Sequence, residues 1–112
     1  MVFFHLKLLP PRPDFPLGAS EKELAVMAEH ADYWRASADT GVAVAVGPVF
    51  DPAGTFGIAI VEVEDAKQAE QLADEDPVVL SELGFRYEVS PIPSMILRDP
   101  PAALAPINPD RT

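Results

Sequence analysis

Apolar residues along this chain recur with a period of two, then about 3.6, then two in consecutive segments, then 3.6, then two, and that order restricts the fold more than any other property. Residues 2 to 9 alternate, with Val2, Phe4, Leu6 and Leu8 on one face and Phe3, His5, Lys7 and Leu9 on the other. From Ser20 the period becomes helical. Ser20-Glu21-Lys22-Glu23 has the form of a capping box, and Leu24, Met27, Ala28, Ala31, Trp34, Arg35 and Ala38 then share one helical face. Gly41 supplies the stop. Val42 to Val46 reads as a strand ending at Gly47-Pro48, Asp51-Pro52-Ala53-Gly54 as a turn, and Thr55 to Val63 as the next strand. Asp65 caps a second helix whose Ala66, Ala69, Leu72 and Ala73 fall on one side, and Asp76-Pro77 ends it. One more turn is expected within 78–83, and Phe85 to Ile92 forms a last strand.

The order β-α-β-β-α-β predicts an α+β, ferredoxin-like sandwich: one four-stranded antiparallel sheet with two helices on one face. Val42 to Val46 is apolar on both parities, as are Phe56, Ile58 and Ile60 against Ala59, Val61 and Val63. Both sheet faces are therefore expected to be buried, yet two helices cover only one. A second copy of the chain is the natural cover for the other, which predicts a homodimer with sheets face to face.

Proline marks the edges of this unit. Of 13 prolines, four fall between Pro10 and Pro16, where an extended loop is expected, and four lie in the last fifteen residues. The expected division is a folded domain over 1–97 and a proline-rich tail over 98–112.

Composition then removes whole classes of function. With no cysteine there is no disulfide scaffold, thiolate nucleophile or thiolate metal site. A formal charge of -10, from 8 basic and 18 acidic residues, disfavours nucleic acid and anionic membranes as partners. Neither a secretion signal nor an apolar run of spanning length stands out, so the cytoplasm is the expected address. Two histidines without metal-ligand spacing, and no Gly-rich phosphate loop, leave the expectation of no metal and no cofactor.

Among the remaining polar residues, His30 lies about 90° from the centre of the apolar stripe of the first helix, at the boundary of buried and wet. An imidazole in such a place can carry protons near neutral pH, or simply hydrogen-bond a neighbouring acid. Asp76 before Pro77 is a favoured helix cap. It also crowds with Asp74 and Glu75 at a helix end whose dipole disfavours negative charge, which a nearby cation relieves. His5 shares a strand face with Lys7, and Trp34 and Tyr87 are aromatic surfaces on which a ligand can stack, although core packing serves them equally. Asp51, in the loop after Gly47-Pro48, can orient a ligand or close a turn.

Four segments taken in order resemble one known family. Glu29-His30 on the first helix, Gly47-Pro48-Val49-Phe50-Asp51, the passage Val61 to Ala66, and Ala73-Asp74-Glu75-Asp76-Pro77-Val78-Val79 are similar to the YciI-like (YCII-related) family over residues 2 to 97. The resemblance implies a small dimeric α/β barrel with a His-Asp active site, here His30 with Asp76. It also implies elimination or dehalogenation chemistry on a small hydroxylated aromatic. Glu29 stands where the family usually has Ala, and the proline loop and tail are not typical of it. If Asp76 reaches the second ring nitrogen of His30, it fixes the tautomer and favours the imidazolium as a proton is taken up.

Three functions are compatible with these features. The first is a cofactor-free lyase or isomerase, in which His30 and Asp76 act on a small metabolite bound by His5, Trp34, Gly47, Pro48, Asp51 and Tyr87. The second is a non-catalytic module that binds a small molecule. The third is a dimeric interaction protein that uses its acidic surface and proline-rich tail.

Overall fold

The computed structural model describes residues 1–99. Its elements follow the order β1 (Val2–Leu9), α1 (Glu21–Asp39), β2 (Ala43–Asp51), β3 (Gly54–Val63), α2 (Ala66–Asp74), α3 (Pro77–Leu80) and β4 (Arg86–Ile92). The strands form one antiparallel sheet in the order β2-β3-β1-β4, and the helices pack on one face of it, which is a ferredoxin-like fold. Residues 100–112 of the expected tail lie outside the described residues.

Helix boundaries follow their caps. Ser20 Oγ accepts from the Glu23 amide at 3.1 Å while Glu23 Oε1 accepts from the Ser20 amide at 2.9 Å, completing the capping box. Gly41, at φ +86°, takes the left-handed turn after α1 that a side chain would strain. Asp65 accepts from the Gln68 amide at 2.9 Å and starts α2.

The register puts Phe4, Leu6 and Leu8 beside Val61, Ala59 and Gly57 respectively on the helix-covered face. There the core divides in two. Phe4, Leu6, Trp34, Val61, Val63, Ala69 and Ala73 pack under α2 and the end of α1, and Leu8, Phe15, Val26, Val78 and Phe85 pack under α3 and the loop before α1. Tyr87 touches both clusters.

Three expectations need correction. The strand expected to stop at Gly47-Pro48 continues to Asp51, because β2 is an edge strand and Pro48 there deprives no neighbouring strand of a ladder bond. The loop expected to be extended between Pro10 and Pro16 folds into successive turns, with Phe15 N–H donating to Arg12 at 3.1 Å, Leu17 to Asp14 at 2.8 Å and Ala19 to Pro16 at 3.0 Å. Phe15 is thereby buried edge-on against Phe85, 5.3 Å between centroids, and Arg12 binds Glu23 through two 2.9 Å bonds. The third correction concerns α1. Its sheet-facing side is Glu23, Val26, Met27, His30, Tyr33, Trp34 and Ser37, while Leu24, Ala28, Ala31 and Ala38 are exposed. Arg12 neutralises the buried Glu23 and Asp76 binds the half-buried His30, so these two polar side chains turn inward with partners and the apolar count alone misplaces the face.

The opposite sheet face carries no helix. Phe3, His5, Lys7 and Leu9 of β1 lie on it with Phe56, Ile58 and Ile60 of β3, all half-buried by their neighbours, and Lys7 Nζ sits 4.5 Å from the Phe56 ring centre.

Candidate active site

Asp76 is the fixed point of the site. Its backbone, extended at φ -61° and ψ 130°, caps α3, and its Oδ1 accepts from the Val78 amide at 3.0 Å. The second oxygen, Oδ2, is free of that duty and turns toward α1 and β4. It accepts from His30 Nδ1 at 2.7 Å, from Trp34 Nε1 at 2.8 Å and from the Tyr87 hydroxyl at 2.5 Å. Trp34 Nε1 also lies 3.0 Å from the Tyr87 oxygen. The carboxylate side chain is fully buried, with both oxygens directed at donors.

Spacing along α1 explains why three elements meet here. His30 and Trp34 are four residues apart, on one side of the helix, so both reach the carboxylate that α3 presents. Tyr87, on the helix-covered face of β4, closes the group from below. Tyr33 anchors the next turn by donating to the Leu72 carbonyl at 2.8 Å, and burial ahead of the Glu75 and Asp76 charges pushes its hydroxyl up to about 12.

Electrostatics keep Asp76 ionised. Burial by itself pushes its carboxyl upward, but the hydrogen bonds from His30 and Tyr87, the His30 charge and the Val78 amide outweigh that, and the carboxyl ends below its ordinary range. Burial and the same carboxylate drive the Tyr87 hydroxyl strongly upward, so it remains a donor. With Nδ1–H committed to Asp76, neutral His30 carries its lone pair on Nε2.

His30 lines a cleft of about 550 Å³, a size suited to a small molecule. The cleft exists because both of its walls are built from small residues. Ala31 and Ala38 of α1 and Gly57 and Ala59 of β3 all line it, and side chains this short leave the space open. A Cβ on Gly57 would meet the Leu8 side chain at 3.4 Å, an ordinary contact, so glycine there leaves room for the cleft without being required by the backbone. Phe15, Met27, Trp34 and Phe85 supply the apolar lining.

The structure brings His30, Trp34, Gly47, Pro48 and Tyr87 to this cleft and Asp76 behind its wall. His5 and Asp51 are elsewhere. His5 stands on the far face of the sheet, paired with Ile60 and Ser90, because its parity is opposite to that of Leu6. Asp51 accepts from the Ala53 amide at 2.7 Å and closes the turn between β2 and β3. Trp34 and Tyr87 line the cleft and also pack into the core, since Trp34 is 2 % exposed and both direct their polar atoms at Asp76. Met27, Ala31, Arg35 and Ala38 are the cleft residues that sequence reasoning assigned to the core; their shared helical face was visible, but what it faces was not.

Among the described residues no helix is long and apolar enough to cross a membrane. No curated protein matches the chain. The family model described as the YCII-related domain matches residues 4–93, a span that runs from β1 through β4 and includes both His30 and Asp76. With four-fifths of its length so matched, the chain belongs to the YCII-related domain family.

Proposed function

We propose that this protein is a cofactor-free acid/base enzyme that moves a proton on a small, largely apolar metabolite, with His30 as the group that exchanges it. The observation that supports this reading is the buried Asp76 carboxylate 2.7 Å from His30 Nδ1, on the side of the ring away from the cleft. Nε2 of the neutral ring takes a proton from an acidic C–H or O–H of the bound molecule. Asp76 stays ionised, holds the ring orientation and stabilises the imidazolium formed. Return of that proton to another carbon of the substrate completes an isomerisation. Departure of a leaving group from the neighbouring carbon completes an elimination, with the proton released afterwards to solvent. The apolar lining limits water around the reacting atoms, which strengthens the charge interaction between His30 and Asp76.

The active form proposed is a homodimer. The uncovered sheet face, with Phe3, Leu9, Ile58 and Ile60 half-buried across it, is what a second copy would cover.

Deuterium exchange tests the chemistry before any substrate is known. Small aryl ketones such as phenylacetone, incubated with the protein in deuterium oxide and followed by NMR, are expected to exchange the α-protons. His30→Gln is expected to lower that rate by about a hundredfold or more. Exchange that is absent, or equal in His30→Gln, removes the acid/base reading and leaves a module that binds its ligand without turning it over.

A further inference from the structure

We infer that the cleft selects small molecules carrying one negatively charged group, a carboxylate in the first instance, on an apolar body, and that Arg35 is the residue that binds the charge. The inference rests on reading the cleft as a ligand site and adds the charge of the ligand to that reading.

The lining is unlike the rest of the surface. The chain has 18 acidic residues against 8 basic, yet among the described residues no Asp or Glu lines the cleft, whereas Arg35 does. Asp76 lies behind the wall with its side chain fully buried and its charge shared among four donors. An anion inside the cleft therefore meets the Arg35 guanidinium and no carboxylate of the lining itself, while the Asp32 carboxylate lies outside that lining.

Arg35 is also not committed to holding the fold. Its ion pair is with Asp32 at 3.6 Å, three residues earlier on the same helix, and the two side chains are 71% and 82% exposed. A solvated pair of that kind holds a guanidinium weakly. Arg12 is the contrast, since Glu23 binds it through two short bonds. The fork of Arg35 matches the two oxygens of a carboxylate.

His30 and Arg35 mark separate parts of the lining. Arg35 follows His30 by five residues, about 7.5 Å along the helix axis and about 140° around it. Ala31, Trp34 and Ala38 fill the wall around that interval with apolar surface. A ring bearing a short acid side chain spans it, with the carboxylate at Arg35 and the far edge of the ring at His30.

The test compares 3-phenylpropanoate with 3-phenylpropanamide, which share shape and differ in charge, by calorimetric titration of the full chain. The acid is expected to bind about fivefold more tightly than the amide, as a partly solvated ion pair allows, and the difference should shrink at high salt. Arg35→Gln should abolish the preference, and Arg35→Lys should restore part of it. Because Arg35 is exposed, its variants are expected to melt with the parent protein. Equal binding of acid and amide, a preference that survives Arg35→Gln, or binding of neither probe overturns the inference. His30→Gln separates the two readings: a charge preference retained in that variant supports the role of Arg35 whether or not the parent protein catalyses deuterium exchange.

Discussion

Replacing Asp76 with Asn keeps the shape of the side chain and removes its charge, and the four donors around it determine the cost. With the amide oxygen in the place of Oδ2, the bonds from His30, Trp34 and Tyr87 persist but lose their charge assistance, about 1 kcal/mol each. The amide nitrogen then faces the Val78 N–H, so two donors meet in the interior, which costs a further 1–3 kcal/mol or so. Turning the amide over is worse, since three donors then face –NH2. Against this, a buried charge no longer has to be desolvated, an offset limited by the four bonds that already solvate it. The net loss is about 3 kcal/mol, or roughly 12–24 °C in Tm for a domain of this size. The pH dependence carries the sign. Asp76 is held below its ordinary range, so its contribution is complete above the unfolded carboxylate's pKa near 4 and is lost as pH falls through the lower folded value. Urea unfolding of Asp76→Asn and the parent protein should show the full gap at pH 7 and a narrowing one below about pH 4. A gap under about 1 kcal/mol, or one of the same size at both ends of the pH range, refutes the picture of a charge-assisted four-donor carboxylate.

Other substitutions probe separate parts of the molecule. Tyr87→Phe leaves Asp76 with His30, Trp34 and Val78, so a loss of only about 1–2 kcal/mol is expected by thermal melting, well short of that for Asp76→Asn. Gly57→Val should place methyl groups in the cleft between Leu8 and Pro48 and lower 3-phenylpropanoate affinity about tenfold or more while the protein stays folded, as read by calorimetry and circular dichroism. Glu23, lowered to about 2 by the Arg12 guanidinium first and the Ser20 amide second, stabilises the fold at neutral pH, and that contribution should fade as pH falls from the ordinary carboxylate range toward 2. The melting difference between the parent and Glu23→Gln is the measure. Sedimentation should give about twice 12.1 kDa for the parent protein and the monomer mass for Ile60→Asp, which puts a charge on the uncovered sheet face.

Element order and caps were legible in the sequence because each rests on local chemistry: Ser20 with Glu23, Gly41, Asp65 and Asp76-Pro77 all act within a few residues. The orientation of α1 was not legible. Hydrophobicity placed Leu24, Ala28 and Ala31 against the sheet, whereas Glu23 is buried and His30 half-buried because Arg12 and Asp76, 11 and 46 residues away, satisfy them. Long-range polar pairing leaves no periodic trace. Neighbouring residues on β1 show the same limit, since His5 and Leu6 differ by one position and by the whole thickness of the sheet. The pairing of His30 with Asp76 came from resemblance, while the roles of Trp34 and Tyr87 as donors to the same oxygen needed the fold.

The division of labour within Asp76, one oxygen for α3 and the other for α1 and β4, bears on how variants of this protein should be interpreted. A library selected only for solubility would keep Asp76, because losing it removes much of the chain's stability, and would tolerate many residues in place of His30. Retention of the acid in such a selection would therefore report thermodynamic necessity, and only retention of the imidazole under a metabolic selection would report chemistry. Of the two partners, the one facing the cleft is the informant.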